Sequence, residues 1–469
     1  MTRNIVLLVL DTVRKDSFDQ YAPRLQARSE VSFEQCRTAS SCSVPSHASF
    51  MTGELPSQHR IHSANVDYSH LSGTDTFLGE LEEHRTIGVS TNTFAGSPFG
   101  FDTLFDEFVD VSWTCRFPDG MDAREFVTRS DASGISFYTE FVKTALRHEH
   151  PLYTIGNAGL AQLDVVFSKL PVPKLLDDGA TSALKIARRR INDGDEPFFL
   201  FMNLMEAHTP HQPTRGYDRS LYDVPNDWNT MDGINQWEIN RKGTDGHEES
   251  IRNFRELYAA SVDYLDRKVL SFIDTVQSMT DRETTFVVTA DHGENLGYPA
   301  DEGLFGHNSS LSEALLHVPL AIVNPPDGYG EHEDSYFSQL KLGELITGLA
   351  DDHTPDVFAE RIAAERILTI HTPDVDEDEL TYWNRMLRCV YEGDRKVVWD
   401  SLGECLEYEL NADRPCWQRE RPDGWSTPPA WSDEFFETDI GEFKQNVGGM
   451  DPNDIDDATR SRLRELGYL

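Results

Sequence analysis

The chain has 469 residues, with 81 Asp and Glu against 42 Lys and Arg, for a formal net charge of −39. That length buries a large core and exceeds one minimal domain, while 38% apolar and 10% aromatic content excludes global disorder. A surface this acidic argues against nucleic acid or anionic lipid as a partner, and it suits the high salt of a halophilic, archaeal setting, where self-repulsion is screened. The six cysteines (Cys36, Cys42, Cys115, Cys389, Cys405, Cys416) are widely spaced and form no Cys-x-x-Cys pair, so neither a disulfide scaffold nor a zinc ribbon is expected. No apolar run approaches the ~20 residues that span a bilayer. The run at 5–10 is too short for a signal-peptide core, so the expectation is a cytoplasmic protein without a transmembrane segment.

Residues 5–10 form a continuous β-branched and leucine run, the pattern of a strand buried on both faces of a sheet. Similar runs recur at 86–90, 198–203, 285–289 and 320–323, with amphipathic, helix-like stretches at 180–192 and 254–276. This alternation predicts an α/β fold, a doubly wound mixed sheet with helices on both faces. In such sheets ligands bind just beyond the carboxyl ends of the strands. The stretch 110–176 lacks the rhythm and reads as an insertion near the site, and 226–249 reads as a polar surface excursion. Beyond about 351 the composition shifts. An acidic cluster at 374–379 precedes a strand at 396–399 in a small antiparallel sheet, and 414–429 is rich in proline and tryptophan and reads as irregular. The expected organisation is an α/β domain over 1–365 and an α+β subdomain with a tail over 366–469.

Five short constellations carry the candidate chemistry. Asp11 directly follows the first strand, free to bind a hard cation, while Asp16 reads as a helix cap. In Ser43-Val-Pro45-Ser46-His47, Pro45 pre-sets a helix start, so backbone amides and the helix dipole would favour an anion or an alkoxide at Ser43, or simply a capped helix. Glu206-Ala-His208-Thr-Pro210-His211 places a histidine past the 198–203 run, for an oxyanion or proton transfer, or as a packed loop. Asp291-His292-Gly293-Glu294 offers one oxygen and one nitrogen ligand at a strand end, with Gly293 allowing a sharp turn. His307, after Gly306, reads as an exposed loop histidine, either a substrate contact or a surface group.

Taken in order, these segments resemble the sulfatase family of the alkaline-phosphatase superfamily. Asp11-Thr-Val-Arg14-Lys-Asp16 is similar to the family's opening Asp-Asp-x-Arg-x-Asp. Ser43 to His47, with Thr52-Gly53, resembles Cys/Ser-x-Pro-Ser-Arg, and Asp291 to Glu294 is its Asp-His-Gly-Glu. Glu206 to Pro210, the stretch from Leu406 to Asp413, and the terminal Leu466-Gly467-Tyr468 are similar to other family elements. The resemblance implies an alkaline-phosphatase-like fold and a hydrolase of sulfate esters acting on a small-molecule or glycan ester. It implies one divalent metal held by Asp11, Ser43, Asp291 and His292, calcium in most family members and manganese or zinc in related phosphate-ester enzymes. It assigns catalytic places to Ser43, which some members oxidise to formylglycine, and to His47, His208 and His307. Thr12 stands where the family has a second aspartate, and His47 where it has an arginine. A plain Ser43 would lack the second hydroxyl by which a formylglycine hydrate expels sulfate. The alternatives are a phosphoesterase or phosphoglycerol-type transferase using unmodified Ser43, and a non-catalytic binder of anionic glycans.

Overall fold

The computed structural model describes residues 2–446 apart from 64, 113–115, 118, 122–125, 127–129, 131–133, 168–169, 193 and 368–376. Cys115, most of the acidic stretch 374–379 and the terminal Leu466-Gly467-Tyr468 lie outside the described residues.

The strands of the first two sheets are Asn4–Leu10 (β1), Val31–Arg37 (β2), Arg85–Ser90 (β3), Glu107–Asp110 (β4), Phe198–Leu204 (β5), Thr284–Thr289 (β6), Asn295–Leu296 (β7), Phe305–Gly306 (β8), Leu320–Val323 (β9) and His332–Ser338 (β10). Eight of them form one sheet in the order β10-β2-β9-β6-β1-β5-β3-β4. Only β9 runs antiparallel to its neighbours. The inner strands β1, β5 and β6 are buried along their whole length, which is why they read as unbroken apolar runs. Three strands escape that reading. β2 alternates buried and half-buried residues in its first half, β4 is half-buried with an exposed end, and β10 is an edge whose first half is largely exposed and charged, the usual protection of a sheet edge.

The helices pack in two groups, as a doubly wound sheet requires. The 32-residue helix Glu248–Met279 packs with Lys15–Tyr21, Pro23–Arg28 and Ala180–Ile191. Leu342–Ala350 packs with Ser43–Thr52. Among the described residues no helix is long and apolar enough to cross a membrane.

The insertion contains two helices, Ile135–Arg147 and Pro151–Phe167. The polar excursion likewise holds two short ones, Thr230–Gly233 and Gln236–Lys242. Five antiparallel strands form a third sheet in chain order: Arg361–Arg366 (β11), Leu387–Glu392 (β12), Arg395–Asp400 (β13), Cys405–Leu410 (β14) and Gln418–Glu420 (β15). The last lies in the stretch expected to be irregular; its polar sequence is that of a short edge strand.

A buried ionic cluster joins the eight-stranded sheet to the five-stranded one. Arg37 Nε, from β2, donates to Glu313 Oε2 at 2.9 Å. Tyr391 Oη (β12) and Lys396 Nζ (β13) donate to Glu313 Oε1 at 2.7 and 3.0 Å.

Candidate active site

Four adjacent parallel strands, β6-β1-β5-β3, deliver polar groups to one rim of the large sheet. Val9, Thr289 and Ser90 are in register with one another through β1 and β5, with Asn203 on the same line. Asp11, Asp291 and Asn92 each stand two residues beyond that line, where the chains leave the sheet. Asp11, Asp291 and His292 are buried, and each offers a ligand atom within 4.8 Å of the others.

Each carboxylate has one oxygen occupied and one unoccupied. Asp11 Oδ2 accepts from Asn92 Nδ2 at 2.7 Å and Asn203 Nδ2 at 3.3 Å. Asp291 Oδ1 accepts from the amides of His292 at 2.9 Å and Thr12 at 3.3 Å. Asp11 Oδ1 and Asp291 Oδ2 are buried without a hydrogen-bond partner among the described residues. Burial, then repulsion from Asp291, pushes the Asp11 carboxyl well up. Two facing carboxylates with orphaned oxygens are a costly arrangement that a divalent cation would satisfy, and the donor set therefore fits one.

The turn after β1 is held under backbone strain. Thr12 has φ 62°, unusual for a β-branched residue, and Tyr258 Oη donates to its carbonyl at 2.7 Å. Gly293 is required by close approach: a Cβ there would lie 2.0 Å from the Ala314 carbonyl oxygen.

Ser43 opens the helix Ser43–Thr52, as Pro45 predicts, and Gly53 ends it in the left-handed region. Its Oγ lies 3.3 Å from His292 Nε2. His47, one turn on, is buried and held at both nitrogens. Nδ1 donates to Ser43 O at 2.7 Å, and Asn203 Nδ2 donates to Nε2 at 3.1 Å. Its ring packs against Phe50, Phe101 and Phe201.

Three imidazoles line the next layer. The His307 ring lies 4.7 Å from that of His292 and 5.2 Å from that of His208. His307 is therefore buried rather than exposed, because Glu294 Oε2 takes its Nδ1 at 3.2 Å. Burial pulls His208 and His307 down to about 4, so both are neutral near pH 7, and pushes Glu294 up to about 7. His208 Nδ1 donates to Thr209 O at 2.6 Å, which fixes its tautomer.

Other sequence candidates lie outside this cluster. Asp16 does not cap its helix but grips the Arg14 guanidinium at 2.7 Å. His211 packs edge-on against Phe254. Glu206 Oε1 accepts from Ala180 N at the start of the helix Ala180–Ile191, at 2.6 Å. The sequence reading missed Asn92 and Asn203, although each follows or ends a buried run, the same signal that marked Asp11 and Asp291.

Two outcomes follow. Asn203 touches both Asp11 and His47, so Asn203→Ala lowers divalent-cation affinity by about 10–100-fold, measured by chelator competition; unchanged affinity contradicts the arrangement. Burial, reinforced by Asp177 and Asp178, raises Glu206 to about 8. A carboxyl raised in the folded state stabilises it below the unfolded value of ~4.3, and that advantage disappears as pH rises to about 8. Glu206→Gln therefore raises the melting temperature more at pH 9 than at pH 5; an equal shift at both refutes this account.

The sequence model of one protein family, described as Sulfatase, matches residues 3–352. The choline-sulfatase of Rhizobium meliloti (strain 1021) is 26% identical over 368 residues, 70% of this chain and 64% of its own length. The iduronate 2-sulfatase of Homo sapiens is 24% identical over 370 residues, 69% of this chain and 60% of its own length. The chain thus spans less than two thirds of these curated relatives. Among solved structures, a phosphonate monoester hydrolase from Silicibacter pomeroyi superposes with a TM-score of 0.58 at 15% identity, covering 96% of both chains. That likeness establishes the shared fold.

Proposed function

Because the chain belongs to the sulfatase family, we propose that it is a metal-dependent hydrolase of sulfate esters, with residue 43 as the attacking group. The observation that carries this reading is the convergence of Asp11, Asp291 and His292 within 4.8 Å, with Ser43 Oγ 3.3 Å from His292 Nε2.

A divalent cation held by Asp11, Asp291, His292 and residue 43 would polarise an ester oxygen and lower the pKa of the attacking hydroxyl. An imidazole nitrogen among the donors suits manganese or zinc better than calcium, which takes six to eight oxygens. Ser43, in the first turn of its helix, gains further from the backbone amides and the dipole there. His47 is a positioning residue: clamped between Asn203 and the Ser43 carbonyl, it fixes the turn that carries the nucleophile. His208 and His307, beside His292, grip the ester oxygens and serve the leaving group. The substrate is a small-molecule or glycan ester.

In the sulfate reading Ser43 is oxidised to formylglycine, whose hydrate expels sulfate from its second hydroxyl. The second reading keeps Ser43 as an alkoxide acting on a phosphate ester; the plain serine and the histidine ligand favour it. The mass of the tryptic peptide containing residue 43 separates the two. A peptide lighter by two hydrogens supports sulfate hydrolysis, and an unmodified serine supports phosphate chemistry. Parallel assays on aryl sulfate and aryl phosphate complete the test. Ser43→Ala lowers the true activity by at least about 10³-fold. Turnover of neither ester leaves the glycan-binding reading.

A further inference from the structure

The two helices of the insertion both present apolar stripes to solvent. On Pro151–Phe167 two polar residues face the protein. Thr154 and Asn157 are fully buried. Asn157 Oδ1 accepts from the Phe117 amide at 2.8 Å, its Nδ2 donates to Phe117 O at 3.0 Å, and Thr154 Oγ1 accepts from the Met121 amide at 3.0 Å. The opposite face carries Leu152, Ile155 and Leu163, exposed at 81%, 44% and 48%. At 100° per residue these three and Gly159 share one stripe. Ile135–Arg147 likewise turns apolar residues outward, although its inner face is aromatic. Phe137 and Phe141 pack on Phe126 at ring distances of 5.3 and 5.2 Å. Tyr138, Val142 and Leu146, four residues apart, are exposed at 62%, 47% and 64%. A solvated surface helix has the reverse arrangement.

At roughly 180 Å² for a full large side chain, the exposed parts of these residues present on the order of 600 Å² of apolar surface. That is at the upper end for a monomer and approaches the ~800 Å² per partner of a stable interface.

Charge selects the occupant. Residues 135–170 contain three acidic and three basic residues, no net charge, in a chain of −39. An anionic lipid surface would be repelled by the rest of the molecule, whereas two copies meeting at their neutral patches keep their acidic surfaces apart. We propose that the chain forms a symmetric dimer through this hairpin, the four helices pairing Tyr138, Val142, Leu146, Leu152, Ile155 and Leu163 across a two-fold axis. Such an interface is self-complementary by symmetry, and its association strengthens with salt as the remaining −39 is screened.

Light scattering on the full chain at tens of micromolar, in low and high salt, tests this. The expected result is a two-chain mass that dissociates on dilution more readily at low salt. Leu146→Glu and Leu152→Glu are expected to give a one-chain mass with an unchanged melting temperature. Should a charged variant fold poorly, Gly159→Cys serves instead, since a Cβ there meets nothing within 4 Å. A spin label on it is expected to show dipolar broadening from a partner label. A one-chain mass for the unaltered protein in both salts, or a two-chain mass that survives both Leu→Glu changes, overturns the proposal. So does a one-chain protein that sediments with phosphatidylcholine vesicles, which would assign the face to lipid.

Discussion

Asp291→Asn is expected to abolish divalent-cation binding and lower ester turnover by about 10³-fold or more, without unfolding the protein. The reason lies in how the two oxygens of Asp291 are used. Oδ1 accepts from the His292 and Thr12 amides and can go on doing so from an asparagine. Oδ2 has no hydrogen-bond partner among the described residues, with the His292 and His47 rings at 3.6 and 3.7 Å, and its replacement removes an anionic ligand. Loss of a single preorganised electrostatic group in a water-poor site costs about 10²–10³ in rate, and loss of a cation that polarises the ester costs more. Stability without the cation should change little. With a chelator present, the variant relieves the repulsion between Asp11 and Asp291 but gives up the attraction of Asp291 for His292 and His47. With cation in excess only the unaltered protein gains, by about 2.7 kcal/mol at a hundredfold excess over Kd. Differential scanning fluorimetry with and without cation reads both. A variant that still gains stability from the cation, or retains turnover, contradicts the site.

The largest expected effect on stability lies elsewhere, at Glu313. Arg37 and Lys396 are both buried and both ion-paired to this one carboxylate, at 2.9 and 3.0 Å. Burial alone would raise the Glu313 pKa, but Arg37 and Lys396 outweigh it and bring it down to about 2. Glu313→Ala leaves two buried cations facing each other, and breaking a buried pair in this way costs about 3–5 kcal/mol. The pH signature follows from the depressed value. The unaltered protein has the full contribution above the unfolded value of ~4.3 and loses it as pH falls toward 2. The stability gap between the two proteins therefore narrows from pH 6 to pH 3, as read from urea melts. A gap that stays constant across that range would mean the cluster is not ionic.

The parts of this architecture legible in the sequence are those set by local pattern. Runs such as 5–10 and 285–289 read as strands because burial on both faces leaves no polar position in them. Asp11, Asp291 and His292 stood out because a charged or metal-ligating residue at the end of such a run is unusual. Ser43 was legible as the start of a helix because Pro45 pre-sets the first turn there. What could not be read depends on register between distant segments. Asn92 and Asn203 look like ordinary loop and strand residues until the pairing of β3, β5 and β1 sets their amides on Asp11. His307 looked exposed because its partner, Glu294, lies across the β7–β8 pair. The insertion lacks a strand–helix rhythm because its two helices follow one another with no strand beside them among the described residues.

Anomalous diffraction from crystals soaked in manganese tests the central claim most directly. One peak per chain within bonding distance of Asp11, Asp291, His292 and residue 43 is the predicted outcome. A peak elsewhere, or none at that rim while the enzyme remains active, would contradict it.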